Sequence, residues 1–109
     1  MKYNDVSYTI YFPEKNNSNV IKSLKNNKLW EKKIIRVFEK YLNKNATCID
    51  CGSYIGSHSI IMAQLSKKVI AFEPVKFIYD CLNKTIQENN ITNLILHNKG
   101  LCIGNSTKT

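Results

Sequence analysis

Thr47-Cys48-Ile49-Asp50-Cys51-Gly52-Ser53-Tyr54-Ile55-Gly56 and, a short stretch later, Val69-Ile70-Ala71-Phe72-Glu73-Pro74 decide how this chain folds. The first segment is an apolar run that reaches an acid, Asp50, and then passes two glycines. The second is an apolar run that ends at Glu73. In a β-α-β unit this order sets a glycine-rich turn beside an acidic side chain at the carboxyl ends of two parallel strands, where open α/β sheets bind ligands. Glu73 follows Gly52 by 21 residues, close to the spacing of about 20 at which an acid meets a ribose hydroxyl. The pairing points to a nucleoside cofactor.

Working outward, Thr47 to Cys51 reads as a short buried strand and Ser57 to Leu65 as a mostly apolar helix. Ser66-Lys67-Lys68 turns the chain into a strand over Val69 to Phe72. Pro74 opens a second helix at a position proline tolerates, with Ile78, Cys81, Leu82, Thr85 and Ile86 as its buried stripe. Asn89-Asn90 breaks that helix, and Leu94-Ile95-Leu96 forms a third strand. After Leu101-Cys102-Ile103 the chain, Gly104 to Thr109, is loop-like. Upstream, Val6 to Phe12 reads as a strand stopped by Pro13. Val20 to Leu24 suggests one helical turn. From Leu29 to Leu42, Trp30, Ile34, Val37, Phe38 and Tyr41 recur at helical spacing and are expected to face the sheet.

Strands alternating with helices imply an α/β fold with a parallel, Rossmann-like sheet and right-handed crossovers. Residues 1–45 would form a strand-helix extension and residues 46–109 the cofactor-binding portion. In a complete sheet of this kind the strand at Thr47 to Cys51 has neighbours on both sides. Here one side would be open, which favours self-association through that edge.

The chain has 109 residues, 43% hydrophobic and 22% charged, as in an ordinary globular domain. Its formal net charge is +8, and Arg36 is the only arginine. Lysines and asparagines are scattered, as in Lys25-Asn26-Asn27-Lys28, rather than gathered into a basic run interleaved with aromatics. Arginine, the usual reader of base edges, is nearly absent. These features argue against a nucleic-acid partner. Of the four cysteines, Cys48 and Cys51 are spaced C-x-x-C, but three residues apart on a strand they point to opposite faces and cannot share a metal. His58 and His97 lack ligand spacing, so no metal site is assigned. Reduced thiols and an N-terminus without an apolar signal core lead us to expect a cytoplasmic, intracellular protein with no membrane contact.

Glycine at 52 and 56 lets the backbone turn tightly and approach a ligand, and a helix start there offers N–H groups to an anionic or carboxylate-bearing ligand. Asp50 either holds the loop, caps the helix or accepts from a ligand ammonium. Glu73 either takes two ribose hydroxyls or ends the strand as a solvated acid. A dinucleotide fingerprint requires G-x-G-x-x-G, whereas here the pattern is G-x-x-x-G with Tyr54 at the second position, which disfavours NAD.

Asp50-Cys51-Gly52-Ser53-Tyr54-Ile55-Gly56-Ser57-His58-Ser59 followed by Val69-Ile70-Ala71-Phe72-Glu73-Pro74 resembles the first half of FkbM-type S-adenosylmethionine-dependent methyltransferases. The likeness runs from about Trp30 to Asn89 and on to Lys99-Gly100-Leu101. It implies a class I methyltransferase fold, truncated after the third core strand, with S-adenosylmethionine as cofactor. It also implies methyl transfer to an oxygen of a sugar or another small hydroxylated acceptor. By resemblance Gly52, Ser53, Tyr54 and Gly56 would line the methionine portion, with Asp50 in support. Glu73 would hold the ribose and Pro74 would shape the adenine side. His58 would either reach the cofactor carboxylate or serve only the helix start. Family members commonly carry small residues where Ser53-Tyr54 stand. No catalytic residue is assigned. The alternative is an inactive remnant or interaction module that retains at most cofactor binding.

Overall fold

The computed structural model describes residues 1–14 and 18–101. The expected loop over Gly104 to Thr109 and the fourth cysteine, Cys102, lie outside them. In chain order the elements are β1 (Lys2–Tyr3), β2 (Val6–Ser7), α1 (Asn19–Lys25), α2 (Lys32–Tyr41), β3 (Thr47–Cys51), α3 (Ser59–Leu65), β4 (Lys68–Phe72), α4 (Lys76–Glu88) and β5 (Leu94–His97). Strands β3, β4 and β5 form a parallel sheet in that order, with Cys48 beside Val69 and Val69 beside Leu94. Both crossovers step the same way along the sheet, and right-handed connections of that kind put their helices on one face. There Cys48, Val69, Ala71 and Leu94 meet Met62, Ala63, Leu82 and Ile86 in the main core. The expected α/β sheet is therefore present, with its helical layer on one side.

The N-terminal portion departs from expectation. Asn4 and Asp5 both take left-handed φ, 49° and 64°, which makes the two-residue turn of a hairpin. The antiparallel ladder is Lys2 with Ser7 and Tyr3 with Val6. The strand expected over Val6 to Phe12 thus ends at Ser7, and the rest runs as a strap over the helices. Thr9 N–H donates to Asn89 Oδ1 at 2.9 Å, and Tyr11 N–H donates to Thr85 Oγ1 at 2.9 Å. These side-chain acceptors, Thr85 on α4 and Asn89 at its C-cap, take the place of a strand partner.

Helix α2 is also turned from its expected setting. Its buried residue is Ile35, packed with Tyr3 and Ile61, while Phe38 and Leu42 reach the main core from the side. Ile34, Val37 and Tyr41, three members of the expected inward stripe, are exposed. The cause is position: α2 packs on α3 rather than on the sheet, so only a narrow face is covered. Helix α1 does form around Val20 to Leu24. Ser18 caps it by accepting from Ile21 N–H, and Ile21 and Leu24 pack on Ile55 and Ile78. Helix α4 starts at Lys76, two residues beyond Pro74, and buries Ile78, Leu82, Thr85 and Ile86, with Cys81 partly covered. Among the described residues no helix is long and apolar enough to cross a membrane.

Candidate cofactor site

At the carboxyl ends of β3 and β4 the two diagnostic segments come together. Beyond Cys51 the chain cannot continue along β4, because Gly52 (φ 75°) turns it. The N–H groups of Gly52 and Ser53 both donate to the Phe72 carbonyl, at 2.8 and 3.0 Å, which binds the loop to the end of β4. Ser53 is buried, and Gly56 N–H closes the turn on the Ser53 carbonyl at 3.0 Å. At Gly56 (φ 90°) a side chain would collide with Leu82 Cδ1, whereas at Gly52 one would meet nothing within 4 Å. The first glycine has open space in front of it, and the second lets the loop sit against α4.

Glu73 is central to this geometry. It is 4% exposed, and its carboxylate is stabilised by two backbone donors: Tyr54 N–H reaches Oε1 at 2.8 Å and Val75 N–H reaches Oε2 at 2.9 Å. Charge-assisted bonds of this kind offset the cost of burying a carboxylate. Tyr54 has φ 53°, a left-handed setting that costs a non-glycine residue about 1–2 kcal/mol. The bond to Glu73 holds it there, and its phenol donates to Ser18 Oγ at 3.0 Å. Asp50 accepts a hydrogen bond from Ser59 Oγ, so the acid near the end of β3 also fixes the start of α3.

Pro74 and Glu73 are anchored from the third strand. Asn98 Nδ2 donates to the Glu73 and Pro74 carbonyls at 2.9 and 3.1 Å, and Glu73 N–H donates to the His97 carbonyl at 3.0 Å. Sequence reasoning missed Asn98 and Ser18. A polar residue directly after the third strand was the available signal for Asn98, while nothing local marks Ser18 as a partner of Tyr54.

Asp50, Gly52, Ser53, Tyr54, Gly56, Glu73 and Pro74 thus gather around the ends of β3 and β4. His58 is set differently. Its Nε2 lies 3.3 Å from the Trp30 carbonyl and 3.6 Å from Glu31 Oε1, and its ring stands edge-on to Phe38. That nitrogen ties the start of α3 to the start of α2. Cys48 is buried and Cys51 exposed, opposite settings as the strand period requires. Among the described residues no group of three His, Cys, Asp or Glu side chains can hold a metal ion.

The residues present suit an adenosyl ligand. Each Glu73 oxygen has taken one backbone donor and retains a second lone-pair site, which matches the two hydroxyls of a ribose. The space before Gly52 admits a ligand close to the backbone.

No protein-family model matches the chain, and none of the curated proteins matches it in sequence. Solved structures do match. The Streptococcus mutans protein SMU.1697c, assigned to the methyltransferases and crystallised with SAH, is 25% identical with a TM-score of 0.60, covering 63% of this chain and 39% of its own. An rRNA methylase from Streptococcus thermophilus is 22% identical with a TM-score of 0.59, covering 62% and 41%. A dimethyladenosine transferase from Plasmodium falciparum is 16% identical with a TM-score of 0.60, covering 73% and 30%. The fold is that of Rossmann-like methyltransferases, and the chain spans about two-fifths or less of the length of these proteins.

Proposed function

We propose that this chain is the cofactor-binding portion of an S-adenosylmethionine-dependent methyltransferase. The observation that carries the reading is the buried Glu73 carboxylate, locked to the glycine loop through Tyr54 N–H at the ends of adjacent parallel strands. The cofactor supplies a sulfonium methyl group for transfer. Glu73 would bind the ribose hydroxyls, and Gly52, Ser53, Tyr54 and Gly56 would line the methionine side. Asp50 would support them, and Pro74 would border the adenine. Glu73 has a second duty on this reading, because the same carboxylate sets the loop. The FkbM-like run Asp50 to Ser59 with Phe72-Glu73-Pro74 favours an oxygen acceptor on a sugar or similar hydroxylated molecule.

RNA is a second reading for the acceptor. The net charge of +8 favours a phosphate backbone, and one structural neighbour is an rRNA methylase.

Calorimetric titration of the folded chain with S-adenosylmethionine tests the core of the proposal. Saturable binding is expected, at least tenfold weaker in Glu73→Ala and in Gly52→Val. A chain with intact circular dichroism that takes up no cofactor would refute it. Radiolabelled methyl transfer to mixed glycans or to ribosomal RNA then separates the two acceptors.

A further inference from the structure

Tyr54 is held at both ends. Its N–H donates to Glu73 Oε1 at 2.8 Å, and its phenol donates to Ser18 Oγ at 3.0 Å. Between those anchors the backbone keeps φ 53°, a setting disfavoured for any residue with a Cβ. Ser18 lies 36 positions upstream of Tyr54 and is the N-cap of α1, where the same hydroxyl oxygen accepts from Ile21 N–H at 3.3 Å. A hydroxyl oxygen has two acceptor sites, and here one serves the helix and the other the glycine loop. The next loop residue, Ile55, is fully buried and packs with Ile21, Leu24 and Ile78. Helix α1 therefore grips two successive loop residues, Tyr54 by a hydrogen bond and Ile55 by apolar contact.

We propose that Ser18 is a positioning residue for the glycine loop and its acid: by fixing the Tyr54 phenol it keeps the Tyr54 N–H on the Glu73 carboxylate. The torsion φ sets the angle between a residue's N–H and its side chain, so it cannot change while both stay anchored. Glu73 holds the first and Ser18 the second. Without the Ser18 acceptor, the left-handed backbone of Tyr54 is free to relax toward negative φ, and the N–H then turns from Oε1. Glu73 is buried, and its other backbone donor is Val75 N–H. A buried carboxylate that loses a donor is costly to keep in place, so the acid moves with the loop. This role rests on the cofactor reading above for its effect on affinity, and on the loop geometry alone for its effect on Tyr54.

Capping α1 and positioning Tyr54 are separable duties. Glycine is nearly as good an N-cap as serine, and the Ser18 backbone, φ −60° and ψ 158°, suits it, but it offers the phenol no acceptor. Ser18→Gly therefore keeps the helix and drops the loop. Ser18→Thr keeps an oxygen for both donors. Tyr54→Phe leaves the bond from Ile21 N–H to Ser18 untouched and removes only the phenol hydroxyl. Tyr54 is half-buried, so water takes up a phenol released by Ser18→Gly. The expected effect is then that of one hydrogen bond net of water, between about twofold and tenfold.

Two measurements on Ser18→Gly, Ser18→Thr, Tyr54→Phe and the double variant Ser18→Gly with Tyr54→Phe are the test. The first is amide hydrogen exchange of the ligand-free chain. The Tyr54 N–H is expected to exchange about twofold to tenfold faster in Ser18→Gly and in Tyr54→Phe, and at the native rate in Ser18→Thr. The Asn26 N–H, bonded to the Lys22 carbonyl at the end of α1, should keep its native rate throughout. The second is calorimetric titration with S-adenosylmethionine, where Kd should rise by the same factor in both single variants and no further in the double. A Tyr54 amide indifferent to both single substitutions would overturn the proposal, as would effects that multiply in the double variant. Faster exchange at Asn26 in Ser18→Gly, with Tyr54→Phe unchanged, would leave Ser18 a helix cap only and also overturn it. Native affinity in both variants despite a loosened Tyr54 amide would overturn the role in cofactor binding. Should the exchange pattern hold while the native chain itself takes up no S-adenosylmethionine, the cofactor reading fails and the link from Ser18 to the loop stands.

Discussion

Gly52 and Gly56 are alike on paper and differ in what surrounds them. Both have left-handed φ, but only Gly56 faces a side chain with nowhere to go, because Leu82 is fully buried. Gly56→Ala is expected to cost about 3 kcal/mol or more, combining backbone strain with overpacking. Gly52→Ala should cost about 1 kcal/mol, the strain alone. Urea denaturation of the two variants checks this, and equal losses would mean that Gly52 is also packed against something. Tyr3 provides a second residue-level test. Its phenol donates to Glu39 Oε2 at 2.6 Å, and burial, reinforced by the Glu39 carboxylate, pushes its pKa from 10 up to about 12. A proton held more tightly in the folded state gives stability that is complete below pH 10 and lost as pH rises through 12. The urea midpoint should therefore fall more steeply between pH 10 and 12 in the native chain than in Tyr3→Phe. At this scale the spacing marked Gly52, Ser53, Tyr54 and Glu73, which the fold brings together at the ends of β3 and β4. It did not expose that Tyr54 takes a left-handed φ, because no local rule sends a tyrosine there. The constraint comes from Glu73, nineteen positions away.

The elements built around the glycine loop were legible because their signals agree: apolar runs of strand length, a proline near a helix start, and turn residues between them. β3, α3, β4, α4 and β5 all lie where those signals put them, within a residue or two. The N-terminal elements were not, for a different reason in each case. The β-rich run Val6 to Phe12 has strand composition, but the Asn4-Asp5 turn leaves it only two residues of partner. The stripe on α2 has helical period, but periodicity gives the width of an apolar face and not what lies under it. The two faces of α2 should respond accordingly. Ile35→Ala is expected to cost about 2–4 kcal/mol, the range for truncating a buried isoleucine. Val37→Lys, at a residue 48% exposed, should cost the monomer under about 0.5 kcal/mol. Thermal melts at low concentration and low salt decide this. A large loss at Val37 would place the stripe inside the fold of the single chain.

Among the described residues, two same-direction crossovers cover one face of a three-stranded sheet, and the other face carries the exposed Ile49 and Ile95 and Phe72 stacked on His97. The covered face is closed by the strap: Thr9 exchanges two hydrogen bonds with Asn89, N–H to Oδ1 at 2.9 Å and carbonyl from Nδ2 at 2.7 Å. Those partners are eighty positions apart, so the strap cannot take its place until the end of α4 has been made. At about 5–20 residues per second, Asn89 is made some 4–16 s after Thr9. During that interval Ile10 and Phe12, which pack beside Ile21, Leu24, Ile55 and Ile78 in the finished protein, have no α4 to lie against. The nascent chain therefore carries an unpacked apolar segment through that interval, a surface of the kind chaperones hold.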